Sequence, residues 1–138
     1  MLSDTAEYAL RAVLYIAQHA TAERPLRTEE IAGALQVPRN YLSKILHVLG
    51  RQGVLASTRG PQGGFRLAGA ADDLPLQRVV QPFDAVAERR TCLLGRAECS
   101  ETNPCPAHSR WSAISSQVQA LFLGTTIGDL LREKGSLV

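Results

Sequence analysis

The chain has 138 residues, 45% of them apolar and 20% charged, with a net charge of +2. This is the composition of one ordinary globular domain with at most a small appendage, and no apolar run approaches the ~18 residues a membrane helix needs. The opening Met-Leu-Ser-Asp-Thr-Ala-Glu has no basic region or small-residue cleavage site, so a cytoplasmic protein without a membrane partner is expected.

Residues 5–20 read as a helix, with Tyr8, Ala9, Ala12, Val13, Ile16 and Ala17 at helical spacing and Asp4 or Thr5 as its cap. Thr28-Glu-Glu-Ile-Ala-Gly-Ala-Leu35 follows as a short helix, with Thr28 as N-cap and two glutamates at the positive end of the dipole. Pro38 suits the first turn of a third helix over 39–52, whose Leu42, Ile45, Leu46 and Leu49 form an apolar stripe. The opposite face carries Arg39, Asn40, Ser43, Lys44 and His47. A short helix, a tight turn and a longer helix with a donor-rich face is the helix-turn-helix pattern.

Gly53 reads as the left-handed cap that ends this helix. Residues 54–58 read as a strand, Arg59-Gly-Pro-Gln-Gly-Gly64 as a tight turn, and Phe65-Arg-Leu67 as the start of the return strand. The turn lacks the Lys-Ser/Thr ending of a phosphate-binding loop, so it reads as a wing. Residues 1–70 are therefore expected to form a winged helix-turn-helix DNA-binding domain. They hold eight basic and five acidic residues, against seven and eight in the remainder, which places the positive excess on the DNA-binding half. The contacts expected from this half are Thr28, Arg39, Asn40, Tyr41, Ser43, Lys44, Arg59, Gly60 and Gly63. Asn pairs with adenine and Arg or Lys with guanine in the major groove, while Arg59 reaches the minor groove and the glycines let backbone N–H groups approach phosphate. Packing beside Leu42 is an equal alternative for Tyr41, and a surface position or phosphate contact is the reading for His47.

Residues 71–138 are expected to form a cysteine-loop and dimerisation region. Leu74 to Phe83 reads as a short helix and 84–104 as irregular. A long helix runs from about Pro106 to Leu123, and Thr125-Thr-Ile-Gly-Asp-Leu-Leu-Arg132 holds one more short helix. Trp111, Ile114, Val118, Leu121 and Phe122 line one side of the long helix. With little chain left to cover them, they are assigned to a two-fold homodimer interface, the alternative being packing on the first helix of the same subunit. The fold class is thus mainly α with a small β-hairpin wing and a long C-terminal dimerisation helix.

All three cysteines lie in Cys92-Leu-Leu-Gly-Arg-Ala-Glu-Cys99-Ser-Glu-Thr-Asn-Pro-Cys105-Pro-Ala-His108. An odd count argues against a closed disulfide framework, and three thiolates with an imidazole can wrap one inorganic centre. Zinc accepts a Cys3His set, but the gaps here are wider than the usual close pair. A thiol-based redox switch and three unligated cysteines are the other readings.

Glu7-Tyr-Ala-Leu-Arg11, Arg39-Asn-Tyr-Leu-Ser-Lys44, Arg59-Gly-Pro-Gln-Gly-Gly-Phe65, the cysteine loop and Thr125-Thr-Ile-Gly-Asp-Leu-Leu131 together resemble the Rrf2 family of bacterial winged-helix regulators, of the IscR- and NsrR-like kind, over essentially the whole chain. The resemblance implies a homodimer that binds an inverted-repeat operator in double-stranded DNA and carries an iron–sulfur cluster. It implies Cys92, Cys99 and Cys105 as ligands, with His108 as the fourth for a 2Fe–2S cluster, the favoured form. Glu7 of the partner subunit is the alternative fourth ligand, for a 4Fe–4S cluster. Six residues separate Cys92 from Cys99, one more than is usual in those relatives, which weakens transfer of the cluster type. A non-thiolate ligand is easily displaced, which suits sensing of redox state, nitric oxide, oxygen or iron–sulfur status. The expected function is a transcriptional regulator, a repressor in the favoured reading, and not an enzyme: no flavin, nicotinamide or paired-carboxylate motif is present. The alternatives are a zinc- or thiol-based redox-responsive regulator, a redox carrier, or an iron–sulfur assembly protein that does not bind DNA.

Overall fold

The protein is described as a computed structural model covering residues 2–85 and 92–138. Ser3 opens the chain's first helix, α1 (Asp4–His19), by accepting the Ala6 N–H on its hydroxyl, so the cap lies one residue ahead of the expected Asp4 or Thr5. Ala6, Ala9, Ala12, Val13 and Ile16 are buried. The three alanines let neighbouring helices approach α1 closely. α2 (Thr28–Leu35) begins at Thr28 itself; the cap position is Arg27, with no side-chain cap bond, which corrects the cap assigned to Thr28.

The α2 helix ends on Gln36 in the left-handed conformation, φ 57°, and the N–H groups of Gln36 and Val37 both reach the Ala32 carbonyl. That turn sends the chain through Pro38, which occupies the cap position, into α3 (Arg39–Arg51). Leu42, Ile45, Leu46 and Leu49 are buried beneath α3 as its spacing predicts. Gly53 then adopts φ +75°. Its N–H donates to the Gly50 carbonyl and that of Val54 to Leu49, a Schellman ending that satisfies two terminal carbonyls.

β1 (Leu55–Thr58) and β2 (Gly64–Leu67) pair antiparallel, Leu55 opposite Leu67 and Thr58 opposite Gly64. Leu26 adds a bridge to Phe65, exchanging bonds of 2.9 and 2.7 Å, so the hairpin is stitched to the segment before α2. Gly64 is obligatory at this crossing: a Cβ there would lie 2.4 Å from the Leu26 carbonyl oxygen.

The helix expected over 74–83 is shorter, α4 (Leu76–Val80), preceded by a single 3-10 turn at Ala71–Asp73. Leu74 and Pro75 are instead extended, because Leu74 accepts the Ile127 N–H and Leu76 donates to Thr125. α5 (His108–Gly124) packs against α4, and α6 (Ile127–Arg132) returns to α1. Thr126 and Asp129 cap α6 reciprocally. One buried cluster joins Val13, Leu46 and Leu49 to Val79, Phe122 and Ile127, so the core runs across residue 70. The arrangement is the expected one, mainly helical with a hairpin wing. No helix among the described residues is long and apolar enough to cross a membrane.

Candidate nucleic-acid interface and thiol cluster

The outer face of α3 and the hairpin form one continuous concave surface. A groove of about 600 Å³ lies between them, lined by His47, Arg51, Ser57, Arg59 and Phe65 among others. A second hollow of about 550 Å³ continues along Ser43, Lys44, His47 and Arg51. Asn40, Lys44 and Arg59 are exposed and Ser43 is half-buried, all on the face or wing expected of them. Arg51 is an addition to the expected set. It follows Lys44 by seven residues, and that helical repeat is a signal the sequence already carried.

His47 joins helix to wing. Its Nδ1–H donates to the Ser43 carbonyl at 2.8 Å, and its ring meets the Phe65 ring edge-on at 6.2 Å. Three expected DNA contacts are otherwise engaged. Arg39 is forked onto Glu29 of α2, with nitrogen–oxygen distances of 2.8 and 2.7 Å. The Glu29 carboxyl is held below its ordinary range by its own backbone N–H at the helix start and by Arg39. Tyr41 turns toward α1, its hydroxyl hydrogen-bonded to that of Thr5 and its ring edge-on to Tyr8 at 5.6 Å. Tyr41 thus contacts α1 while remaining 39% exposed.

Gly63 is buried, and its N–H donates to the Gly60 carbonyl at 2.9 Å. A Cβ there would fall 2.1 Å from the Thr58 oxygen. Gly63 thus closes the hairpin, and its N–H is not available to phosphate as expected. Gly60, with φ +103°, sits exposed at the tip. Thr28 is half-buried in the first turn of α2. Arg11 ties distant segments together, because its guanidinium donates to the Leu35 carbonyl at the end of α2 and to Leu137 near the end of the chain.

In the cysteine loop, Gly95 adopts φ +81° and donates its N–H to the Cys92 carbonyl. This turn aims the N–H groups of Arg96 and Leu94 at the Cys92 sulfur, and they hold its thiol below the ordinary range. The Arg96 guanidinium donates to the Asn103 carbonyl at 2.8 Å and closes the loop. The four donors meet as two pairs. Cys92 Sγ lies 3.6 Å from Cys105 Sγ, and Cys99 Sγ lies 3.2 Å from His108 Nδ1. Two sulfurs on one tetrahedral metal, at about 2.3 Å each, are separated by about 3.8 Å, and a sulfur and an imidazole nitrogen by about 3.5 Å. Each pair therefore has the bite of two ligands on one metal. Among the described residues no group of three or more such donors converges on a single ion position. Glu7 is exposed on the first turn of α1.

The stripe expected on α5 divides. Ser115 and Phe122 are buried and Val118 packs against the same core, so Phe122 and Val118 are covered by their own subunit. Trp111 is half-buried. Ile114 and Leu121 remain 53% and 50% exposed on one side of the helix; Leu123, 53% exposed, lies on the opposite side. The free apolar face is thus one edge of the expected stripe, about 40° from its centre, with Phe122 at the opposite edge.

A family profile described as an iron-dependent transcriptional regulator, Rrf2, matches residues 2–133. A candidate HTH-type transcriptional regulator of Aquifex aeolicus is 40% identical over 133 residues, covering 95% of this chain and 91% of that protein. The HTH-type transcriptional regulator IscR of Vibrio atlanticus is 30% identical over 132 residues, covering 96% and 75%. Among solved structures, CymR, the global cysteine regulator of B. subtilis, superposes with a TM-score of 0.78 at 21% identity over 95% of each chain. IscR of T. potens gives 0.74 at 22% identity, over 96% of this chain and 86% of that one. The shared fold is the winged helix.

Proposed function

Because this chain belongs to the Rrf2 family of DNA-binding transcriptional regulators, we propose that it acts as a homodimer on an inverted-repeat operator and that an iron–sulfur cluster held by Cys92, Cys99, Cys105 and His108 controls its affinity. The observation that carries the proposal is the grouping of these four donors into two pairs, each with the bite of one metal. A 2Fe–2S cluster offers two irons, each with two open positions for protein ligands, and a pair of pairs fits that demand. A single zinc ion needs four donors around one point. His108 is favoured over Glu7 of the partner subunit because its ring already faces Cys99. The resemblance to IscR supports the same cofactor, since iron–sulfur chemistry suits thiolate-rich ligand sets.

When bound, the cluster supplies one-electron redox chemistry and reactivity toward oxygen and nitric oxide. The chain's own residues do the rest. The Arg96 and Leu94 N–H groups stabilise the Cys92 thiolate, and such hydrogen bonds to sulfur tune a cluster's potential. The loop leads directly into α5, so a change at the cysteines alters the base of the helix whose outer face carries Ile114 and Leu121. On the DNA side, Lys44, Arg51 and Arg59 supply positive charge to the groove, Ser43 lines it, and the exposed Asn40 one turn earlier on α3 supplies a base-edge donor and acceptor.

The test is anaerobic purification followed by iron and sulfide quantification, then operator binding by loaded and chelator-stripped protein. A coloured protein with equal iron and sulfide and a clear difference in operator affinity is expected. A colourless protein that binds zinc, or equal binding by both forms, overturns the cluster reading.

A further inference from the structure

Thirteen positions apart in sequence, Cys92 and Cys105 hold their sulfurs in van der Waals contact at 3.6 Å, and both are free thiols. Cys99 is directed elsewhere, against the His108 ring. The chain between the two contacting thiols is already folded back: Gly95 donates to Cys92, Arg96 to Asn103, and the Asn103 N–H to the Ser100 hydroxyl. The loop-closure entropy of bringing the sulfurs together is therefore met by the native loop. A disulfide requires an S–S distance of about 2.05 Å. The remaining gap is roughly 1.5 Å.

We propose that, in the metal-free protein, Cys92 and Cys105 are a specific disulfide-forming pair closed by hydroperoxides, while Cys99 stays reduced beside His108. The chemistry balances without a cofactor. One sulfur attacks the peroxide O–O bond, becoming a sulfenic acid and releasing one oxygen as water. The second thiol displaces the sulfenic oxygen as a second water and forms the S–S bond. Two thiols and one hydrogen peroxide give one disulfide and two waters, with two electrons passing from sulfur to oxygen. The pairing stands independently of the cluster. If the cluster reading also holds, oxidation and cluster ligation exclude one another, because a disulfide sulfur is no longer a thiolate ligand.

The test uses the full chain, stripped of metal and fully reduced, then treated with stoichiometric hydrogen peroxide and quenched with an alkylating agent in acid to stop exchange. Cleavage after Arg96, Glu98 and Glu101 places the three cysteines in three different peptides, so mass spectrometry identifies the bonded pair without ambiguity. The expected product joins the Cys92 and Cys105 peptides, at least about tenfold above any product containing Cys99. Cys99→Ser keeps this product, and Cys92→Ser or Cys105→Ser abolishes it. Equal bonding to Cys99, or disulfides mainly between chains, overturns the proposal. A colourless protein on anaerobic purification would remove the cluster and leave this result intact.

Discussion

Glu29 and Arg39 are both exposed, yet they occupy one another across the turn that joins α2 to α3. The Glu29 carboxylate holds a guanidinium that could otherwise reach DNA, and its own charge opposes phosphate. Glu29→Gln should therefore tighten operator binding and steepen its salt dependence, read by fluorescence anisotropy over a salt series; unchanged binding would show that the pair breaks at no cost. Because the Glu29 carboxyl titrates below its ordinary value of 4.5, the pair is intact above that pH and is lost only as pH falls through the depressed value. Lys44 is exposed and stands on the groove itself. Lys44→Ala should lower the salt slope by about one, the signature of one lost phosphate contact. A slope equal to that of the wild type would move Lys44 off the interface. The sequence displayed both basic residues on one helix face. It did not display the glutamate from the preceding helix, because pairing between elements depends on how the turn at Gln36 aims them.

The wing is the element whose geometry leaves least freedom. Gly63 meets the Thr58 carbonyl and Gly64 meets Leu26, whereas Gly69 has open space around it. Gly63→Ala should lower the melting temperature by about 5 °C or more and weaken operator binding, while Gly69→Ala should do neither. Equal melting of the two variants, followed by circular dichroism, would refute the steric argument. At the other end of the chain, α6 is held by Asp129, whose carboxyl accepts from the Thr126 N–H and pairs with Arg132. These contacts, the Thr126 N–H first, keep its carboxyl below the usual 3.8. Their contribution is present above that value and disappears as pH falls through the depressed one. The Gly-rich turn and the short helix after Thr125 were both legible as local signals, whereas the Thr126–Asp129 capping box emerged with the structure. The shortening of α4 was not, because the extended pairing of Leu74 and Pro75 depends on Thr125, Thr126 and Ile127, far along the chain.

For the molecule as a whole, α5 is where one subunit's core ends and a second copy can begin. Phe122 is buried in its own subunit, and its truncation to alanine should cost about 3–5 kcal/mol of stability, measured by denaturant unfolding. Ile114 and Leu121 are exposed, so the double variant Ile114→Glu/Leu121→Glu should leave the fold intact and yield a monomer by analytical ultracentrifugation, with operator affinity sharply reduced. A double variant that stays dimeric would place the interface elsewhere. Sequence alone determined most of the helices and the wing, because each is written in local spacing: apolar residues at helical repeats and glycines at a turn; the family is carried by the motifs spread along the whole chain. Only the tertiary structure decided that Cys92 meets Cys105 while Cys99 meets His108, that Tyr41 contacts α1, and that the apolar stripe of α5 splits into a buried edge and a free edge. Periodicity defines which side chains share a face. What covers that face depends on the angles at which elements pack, and those are set by contacts between residues far apart in the chain.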